Sequence, residues 1–281
     1  MSREHVEFIQ SQVLGWKPWP YQHGVQYKEL SVDNESKATT GIFKYPKGWS
    51  EKEAYWLESE EEFFILSGEL EINETRYSAG FYGYLPESYL RRKIKASKET
   101  IIIRFIDQSP IPVKYHYGDP IPQPKKEAVE GINTFDMRWD KGVHDKKLLH
   151  LDFGRKILRI DPNTRAKTFL YMVSPQTYPE NWQGPMEQHP TVEEAICIAG
   201  TLAGNHGVMR NGAYFWRPPK IPHGPYGSIT GCVMLIRFVG GEHINYWSKE
   251  LYPFKFLPEY NPVLPDSMLD AGKDEWKFEP Y

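Results

Sequence analysis

Six residue pairs in this chain stand one fixed distance apart, and that spacing constrains the fold more than any composition value. Glu61 and Glu193, Glu62 and Glu194, Gly68 and Gly200, Leu70 and Leu202, Gly80 and Gly212, and Pro86 and Pro218 are each separated by 132 residues. Coincidence does not produce six pairs at a single offset, so the chain reads as an internal duplication. Upstream, Gly24-Val25 and Lys28-Glu29-Leu30-Ser31-Val32-Asp33 resemble Gly142-Val143 and Lys146-Lys147-Leu148-Leu149-His150-Leu151-Asp152. Downstream, Arg104-Phe105 matches Arg237-Phe238 at offset 133, which implies one inserted residue.

Both copies read as strands. Phe63-Phe64-Ile65-Leu66, Ile101-Ile102-Ile103-Arg104-Phe105, Ala195-Ile196-Cys197-Ile198 and Val233-Met234-Leu235-Ile236-Arg237-Phe238 are short apolar runs bounded by Gly, Pro, Asn and Ser. That punctuation belongs to sandwiches and barrels, so the expected class is all-β. Short helices are expected only over residues 2–12 and around Ser267–Lys273. Residues 109–131 hold five prolines, which lack a ladder donor, and read as a stiff linker. The expected organisation is residues 1–108, a linker over 109–131, and a second domain over 132–281 with its tail.

Composition excludes several function classes. Lys plus Arg total 34 against 37 for Asp plus Glu, a net charge of -3. Binding to nucleic acid or an anionic membrane calls for a basic excess that is absent. Two cysteines cannot build a disulfide framework, and no apolar run approaches the ~18 residues of a membrane span. With no apolar signal-peptide core, the expected location is the cytoplasm.

The second copy carries Gly184-Pro185-Met186-Glu187-Gln188-His189-Pro190-Thr191-Val192-Glu193-Glu194, then Gly200, then Gly212 through Pro218 to His223. This resembles the two motifs of the cupins: Gly, His-x-His, a spaced Glu and Gly, followed by Gly, Pro-x-Gly and His. The nearest subset is similar to the cupins of zinc-binding anti-sigma factors and of dioxygenases that cleave aryl ketones. The resemblance implies two tandem cupin barrels of double-stranded β-helix, jelly-roll form. It carries metal-ligand roles onto His189, Glu193 and His223. There are two departures: Glu187 replaces the first His, and Lys220 replaces the glycine after Pro218.

The residues agree with that reading. Alternate residues of a strand share a face, so Glu187 and His189 project together. Two imidazoles with carboxylates suit Fe(II), Mn(II), Zn(II) or Ni(II), and a His₂-carboxylate face is a recurring non-haem Fe(II) arrangement. Glu187 is either a fourth ligand or a base beside the metal. The expectation is one divalent ion per chain, with Fe(II) favoured. Tyr214, Trp216 and Trp182 are candidate substrate-pocket residues. Cys197 reads as a buried inert thiol. His5, His23, His116, His144, His150, His206 and His243 lie outside the motif and read as structural.

In the first copy the motif is broken. At offset 132, Tyr55 replaces Glu187, Leu57 replaces His189, Arg91 replaces His223, and Ser88 stands at Lys220; only Glu61 survives. This copy is expected to be metal-free, with an Arg91–Glu61 ion pair, assisted by the Tyr55 hydroxyl, in place of the ion. Arg104 and Arg237 read as matching structural residues in buried ion pairs.

The expected function is a metal-dependent enzyme acting on a small organic molecule in the second barrel, with a non-haem Fe(II) dioxygenase the leading reading. A redox-neutral lyase or isomerase uses the same site, and a non-catalytic ligand-binding or sensor cupin is the competing class. The partner is a small molecule, without nucleic acid or membrane, and a homodimer is compatible.

Overall fold

The computed structural model describes residues 3–142, 145–277 and 281. Val143 and His144 of the sequence reading lie outside the described residues. The architecture is all-β: strands are joined by turns, and helix among the described residues is limited to short 3₁₀ segments.

Two compact units form, and they interleave along the chain. Residues 15–137 with Arg3 make the first, while Glu4–Leu14 and Arg138–Tyr281 make the second. The N-terminal segment therefore does not belong with the repeat that follows it, as the continuous boundary 1–108 supposed. Nor is it helical: Val6–Gln10 is a strand on the edge of the second unit's sheet, followed by a 3₁₀ turn. The proline-rich stretch also contributes strands. Pro112–Lys114 pairs with Tyr55–Leu57, and Val129–Asn133 forms the edge of the first unit's large sheet. Pro112 sits in a two-stranded ribbon, where a missing proline N–H costs least.

In the first unit, Glu61–Ser67 lies between Phe81–Leu85 and Thr100–Ile106, and Thr39–Tyr45 and Gln26–Val32 extend that sheet. In the second, Val192–Gly200 lies between Ala213–Arg217 and Cys232–Val239, with Lys167–Val173 and Gly154–Ile160 beyond. Alternation explains the cores. Phe63, Ile65, Ile102 and Ile106 point into one unit, and Ala195, Cys197, Met234 and Ile236 into the other. This is the jelly-roll fold.

The duplication holds at the level of register. Glu61 faces Leu85 as Glu193 faces Arg217, and Tyr55 bridges Arg91 as Glu187 bridges His223. Gly68 and Gly200 both have left-handed φ, +83° and +74°, and a Cβ there would meet a carbonyl oxygen at 2.2 and 2.0 Å. Even the preceding strands correspond. Val6-Glu7-Phe8-Ile9-Gln10 and Val129-Glu130-Gly131-Ile132-Asn133 carry the same bulge, with φ of +58° at Phe8 and +70° at Gly131.

Two details of the sequence alignment are corrected. Lys146–Leu151 is a 3₁₀ helix and has no counterpart in Gln26–Val32. The true counterpart is Gly154–Ile160: Asp33 and Asp161 each close the same turn, accepting from backbone N–H groups two and three residues on. Further along, Ile103 pairs with Phe64 as Leu235 pairs with Ile196, so the offset in that strand remains 132. Arg104 and Arg237 are thus one residue out of step and lie on opposite faces. Arg104 binds Glu61 inside its unit, while Arg237 binds Glu194 on the other face. Both do sit in buried ion pairs, but with carboxylates that do not correspond.

Candidate metal centre

The site in the second unit is assembled by backbone pairing. The N–H of Glu187 donates to the His223 carbonyl and the N–H of His223 to the Glu187 carbonyl, each at 2.9 Å. Lys220 makes the turn that returns the chain to His223. It adopts φ +66° where the family motif has glycine, and its N–H donates to the His189 carbonyl at 2.8 Å. Ser88, its counterpart, has φ +64°.

Glu187, His189 and His223 bring one ligand atom each within 4.8 Å of one another. The imidazole orientations are fixed from behind. His189 Nδ1 donates to the Ile244 carbonyl at 3.1 Å and His223 Nδ1 to the Ile221 carbonyl at 2.9 Å. A carbonyl can only accept, so both Nδ1 atoms carry hydrogen, and both rings turn Nε2 inward. Those two nitrogens stand 3.1 Å apart. A proton on His189 Nε2 is shared with His223 Nε2 across that distance, and a metal cation can take the place of that proton with both lone pairs turned to it. The donors present therefore fit a metal.

Glu193 is near but differently held. Its Oε2 lies 3.5 Å from His189 Nε2 and 3.4 Å from His223 Nε2. Arg217 Nη1 donates to that same oxygen. Arg217 also binds both oxygens of Glu7 and the Tyr226 hydroxyl. Burial opposes ionisation of Glu193, but Arg217 and the two imidazoles outweigh it and hold its carboxyl well below the usual range. Glu7 is likewise drawn down to about 2, with Arg217 outweighing burial. Burial pushes Glu187 up to about 7. His223 is pushed down to about 3 by burial and then by Arg217, whereas the charge of Glu193 raises His189 against burial. Glu7 and Glu193 thus share one guanidinium, and His5 stands 2.8 Å from Glu7 as well.

A cavity of about 70 Å³ opens on these side chains, lined otherwise by apolar residues such as Leu151, Phe169, Tyr226 and Phe238. Tyr214 and Trp216 are not among its walls. Glu193 faces inward and pairs with Arg217, so Phe215 and Arg217 share its side while Tyr214 and Trp216 take the other. Tyr214 donates to Glu194 at 2.6 Å, as Tyr82 donates to Glu62. Trp182 packs against Tyr178, His150 and Phe254, away from the cavity walls. Cys197 is a buried core thiol with its pKa raised by burial. His243, read as structural, stacks on Phe238 with ring centroids 3.8 Å apart and lines the cavity 5.1 Å from the His189 ring. Arg217, Glu7 and His243 escaped the sequence reading. The usable signal was the change from Leu85 to Arg217 at offset 132, a charge appearing where the other copy is apolar.

The equivalent place in the first unit is filled by an ion cluster. Arg91 donates to Glu61 at 3.0 Å, as the sequence predicted. The second donor is Arg104, not the Tyr55 hydroxyl, which accepts from Gln22.

Residues 4–111 match the ChrR cupin-like domain family. Among curated proteins, no sequence matches the chain. Solved structures share the fold. A candidate dioxygenase from Nostoc punctiforme PCC 73102 superposes with a TM-score of 0.75 at 14% identity, covering 92% of both chains. A candidate glyoxylate-induced protein from Pseudomonas aeruginosa gives 0.58 at 13%, covering 83% of this chain and 87% of its own. A variant of the oxalate decarboxylase of Bacillus subtilis gives 0.54 at 12%, covering 85% and 78%. The jelly-roll topology is shared with these structures, and the second unit adds to it a Glu/His/His cluster that is a candidate metal site. Residues 4–111 are thus similar to a cupin-like domain, and beyond them the likeness to the solved structures is one of fold.

Proposed function

We propose that the second unit holds one divalent metal on Glu187, His189 and His223, and that the protein is a metal-dependent enzyme acting on a small organic molecule in the adjoining cavity. The observation that carries this is the convergence of two Nε2 lone pairs and one carboxylate, each imidazole oriented by a backbone carbonyl. With Glu193 engaged by Arg217, the remaining donors form a two-His, one-carboxylate set, which favours Fe(II) and a dioxygenase. The shared fold of the candidate dioxygenase from Nostoc punctiforme is in keeping with that choice. A bound Fe(II) would supply open coordination positions for a substrate oxygen and for O₂. The chain's own residues orient the imidazoles, exclude water with an apolar wall, and present Glu187.

A redox-neutral lyase or isomerase is the second reading, favoured by one feature. In this reading Glu187 stands beside an ion held by the imidazoles and Glu193 instead of on it, and a carboxyl lifted by burial to about 7 can give or take a proton near neutral pH. Metal analysis of protein purified with and without air separates the two. Iron with substrate-dependent O₂ uptake supports the oxygenase. Manganese or zinc with turnover that needs no O₂ supports the lyase. A chain that binds no divalent ion at all sinks both.

A further inference from the structure

The larger cavity belongs to the first unit, where the metal motif is lost. It measures about 190 Å³ and is walled by Trp19, Tyr21, Tyr55 and Leu57, with Arg104 at its polar end. Arg104 is almost fully buried. Its Nε and Nη2 donate to the two oxygens of Glu61, each at 3.0 Å, and its Nη1 to the Gln22 side-chain oxygen and the Tyr45 hydroxyl, each at 3.2 Å. Arg91 binds the same Glu61 Oε2 at 3.0 Å. Two guanidiniums therefore share one carboxylate, and the buried cluster keeps one net positive charge. Its other partners, Gln22, Tyr45 and Tyr55, are neutral.

The rim does not cancel that charge. Glu53 is exposed and already paired with Lys114 at 2.7 Å. Glu51 turns back onto its own loop, accepting from the N–H groups of Lys52 and Glu53. Water screens such rim charges, while a charge at the closed end of an aromatic cavity is screened far less. A buried excess charge favours a counter-ion from solution, and the walls favour one with an apolar body.

We propose that the first unit is a second small-molecule site, taking a compact organic anion whose charged end lies toward Arg104 and whose apolar body lies among Trp19, Tyr21 and Leu57. The ligand class is a monocarboxylate of roughly the size of benzoate. This site is independent of the metal centre and of the proposed reaction.

The test is calorimetric titration of the chelator-treated full chain with benzoate and with benzamide, its neutral counterpart. Benzoate is expected to bind at least about tenfold more tightly, since a hydrogen bond to a charged group is involved. Glu61→Gln raises the net charge and is expected to tighten benzoate severalfold. Leu57→Trp fills the cavity and abolishes binding, while His223→Ala leaves it unchanged. Equal affinity for benzamide overturns the proposal, and so does the absence of benzoate binding up to about 10 mM. Binding lost in His223→Ala but kept in Leu57→Trp would place benzoate in the second unit and overturn it equally. The benzoate–benzamide comparison needs no variant, so a misfolded mutant does not blunt the test.

Discussion

Arg217 donates to the oxygen of Glu193 that stands 3.4 Å from His223 Nε2, so a guanidinium occupies the side of the carboxylate that a metal would otherwise share. In the other copy the matching residue is Leu85. The glutamate repeated at offset 132 is thus present in both units, and in both it is ion-paired to arginine.

Replacing Arg217 with Leu tests the clamp. It leaves Glu7 and Glu193 as buried carboxylates without their cation, which should cost about 3–5 kcal/mol of stability. Added divalent metal should recover more stability in Arg217→Leu than in the parent, because Glu193 is freed to bind it. Chemical denaturation with and without metal measures both. A loss under about 1 kcal/mol would show that the clamp contributes little.

The proposed metal site predicts one ion per chain, in the second unit. His189→Ala and His223→Ala should each abolish stoichiometric loading, and Glu187→Gln should weaken it about 10- to 100-fold. Elemental analysis after dialysis reads the content. Two ions per chain, or full loading in His223→Ala, contradicts the assignment.

The Glu61 cluster predicts an acid dependence with a definite sign. Burial opposes ionisation, but Arg104 and then Arg91 depress the Glu61 pKa below its ordinary value of about 4.3. A depressed carboxyl binds its proton more readily in the unfolded chain. Its contribution is therefore fully present above about pH 4.3 and disappears as the pH falls through the lower folded value. The stability of Glu61→Gln should change less with pH below about 4.3 than that of the parent. Parallel pH profiles for the two proteins would refute the linkage.

Arg91→Ala removes one of the two cations on Glu61 and should cost less than loss of both. Because Arg104 still makes two hydrogen bonds to that carboxylate, we expect the low end of about 3–5 kcal/mol. Urea unfolding at neutral pH decides it, and an unchanged midpoint would remove the cluster from the stability of the first unit.

Lys220 has an exposed side chain and a left-handed backbone, a conformation that costs an L-residue about 1–2 kcal/mol. Lys220→Gly removes that cost and should be neutral or stabilising by up to about 1 kcal/mol, since glycine gives back some of the gain as unfolded-state entropy. Clear destabilisation in a denaturant titration would mean that the lysine side chain contributes a contact of its own.

The amino-acid sequence determined what depends on local geometry. A two-residue side-chain period and a set of residues repeating at offset 132 carried the duplicated β fold and the Arg91–Glu61 pair, while the motif resemblance named His189, Glu193 and His223 as ligands and left Glu187 as ligand or base. Tertiary structure decided what depends on which strand lies alongside. Parity put Tyr214 and Trp216 on the far face and set Arg104 and Arg237 one residue out of step, because a single residue of slip inverts every side chain of a strand. Val6–Gln10 joined the second unit's sheet, bringing Glu7 to Arg217 across 210 residues of chain. A contact at that separation is fixed by sheet pairing, which no local pattern in the chain encodes.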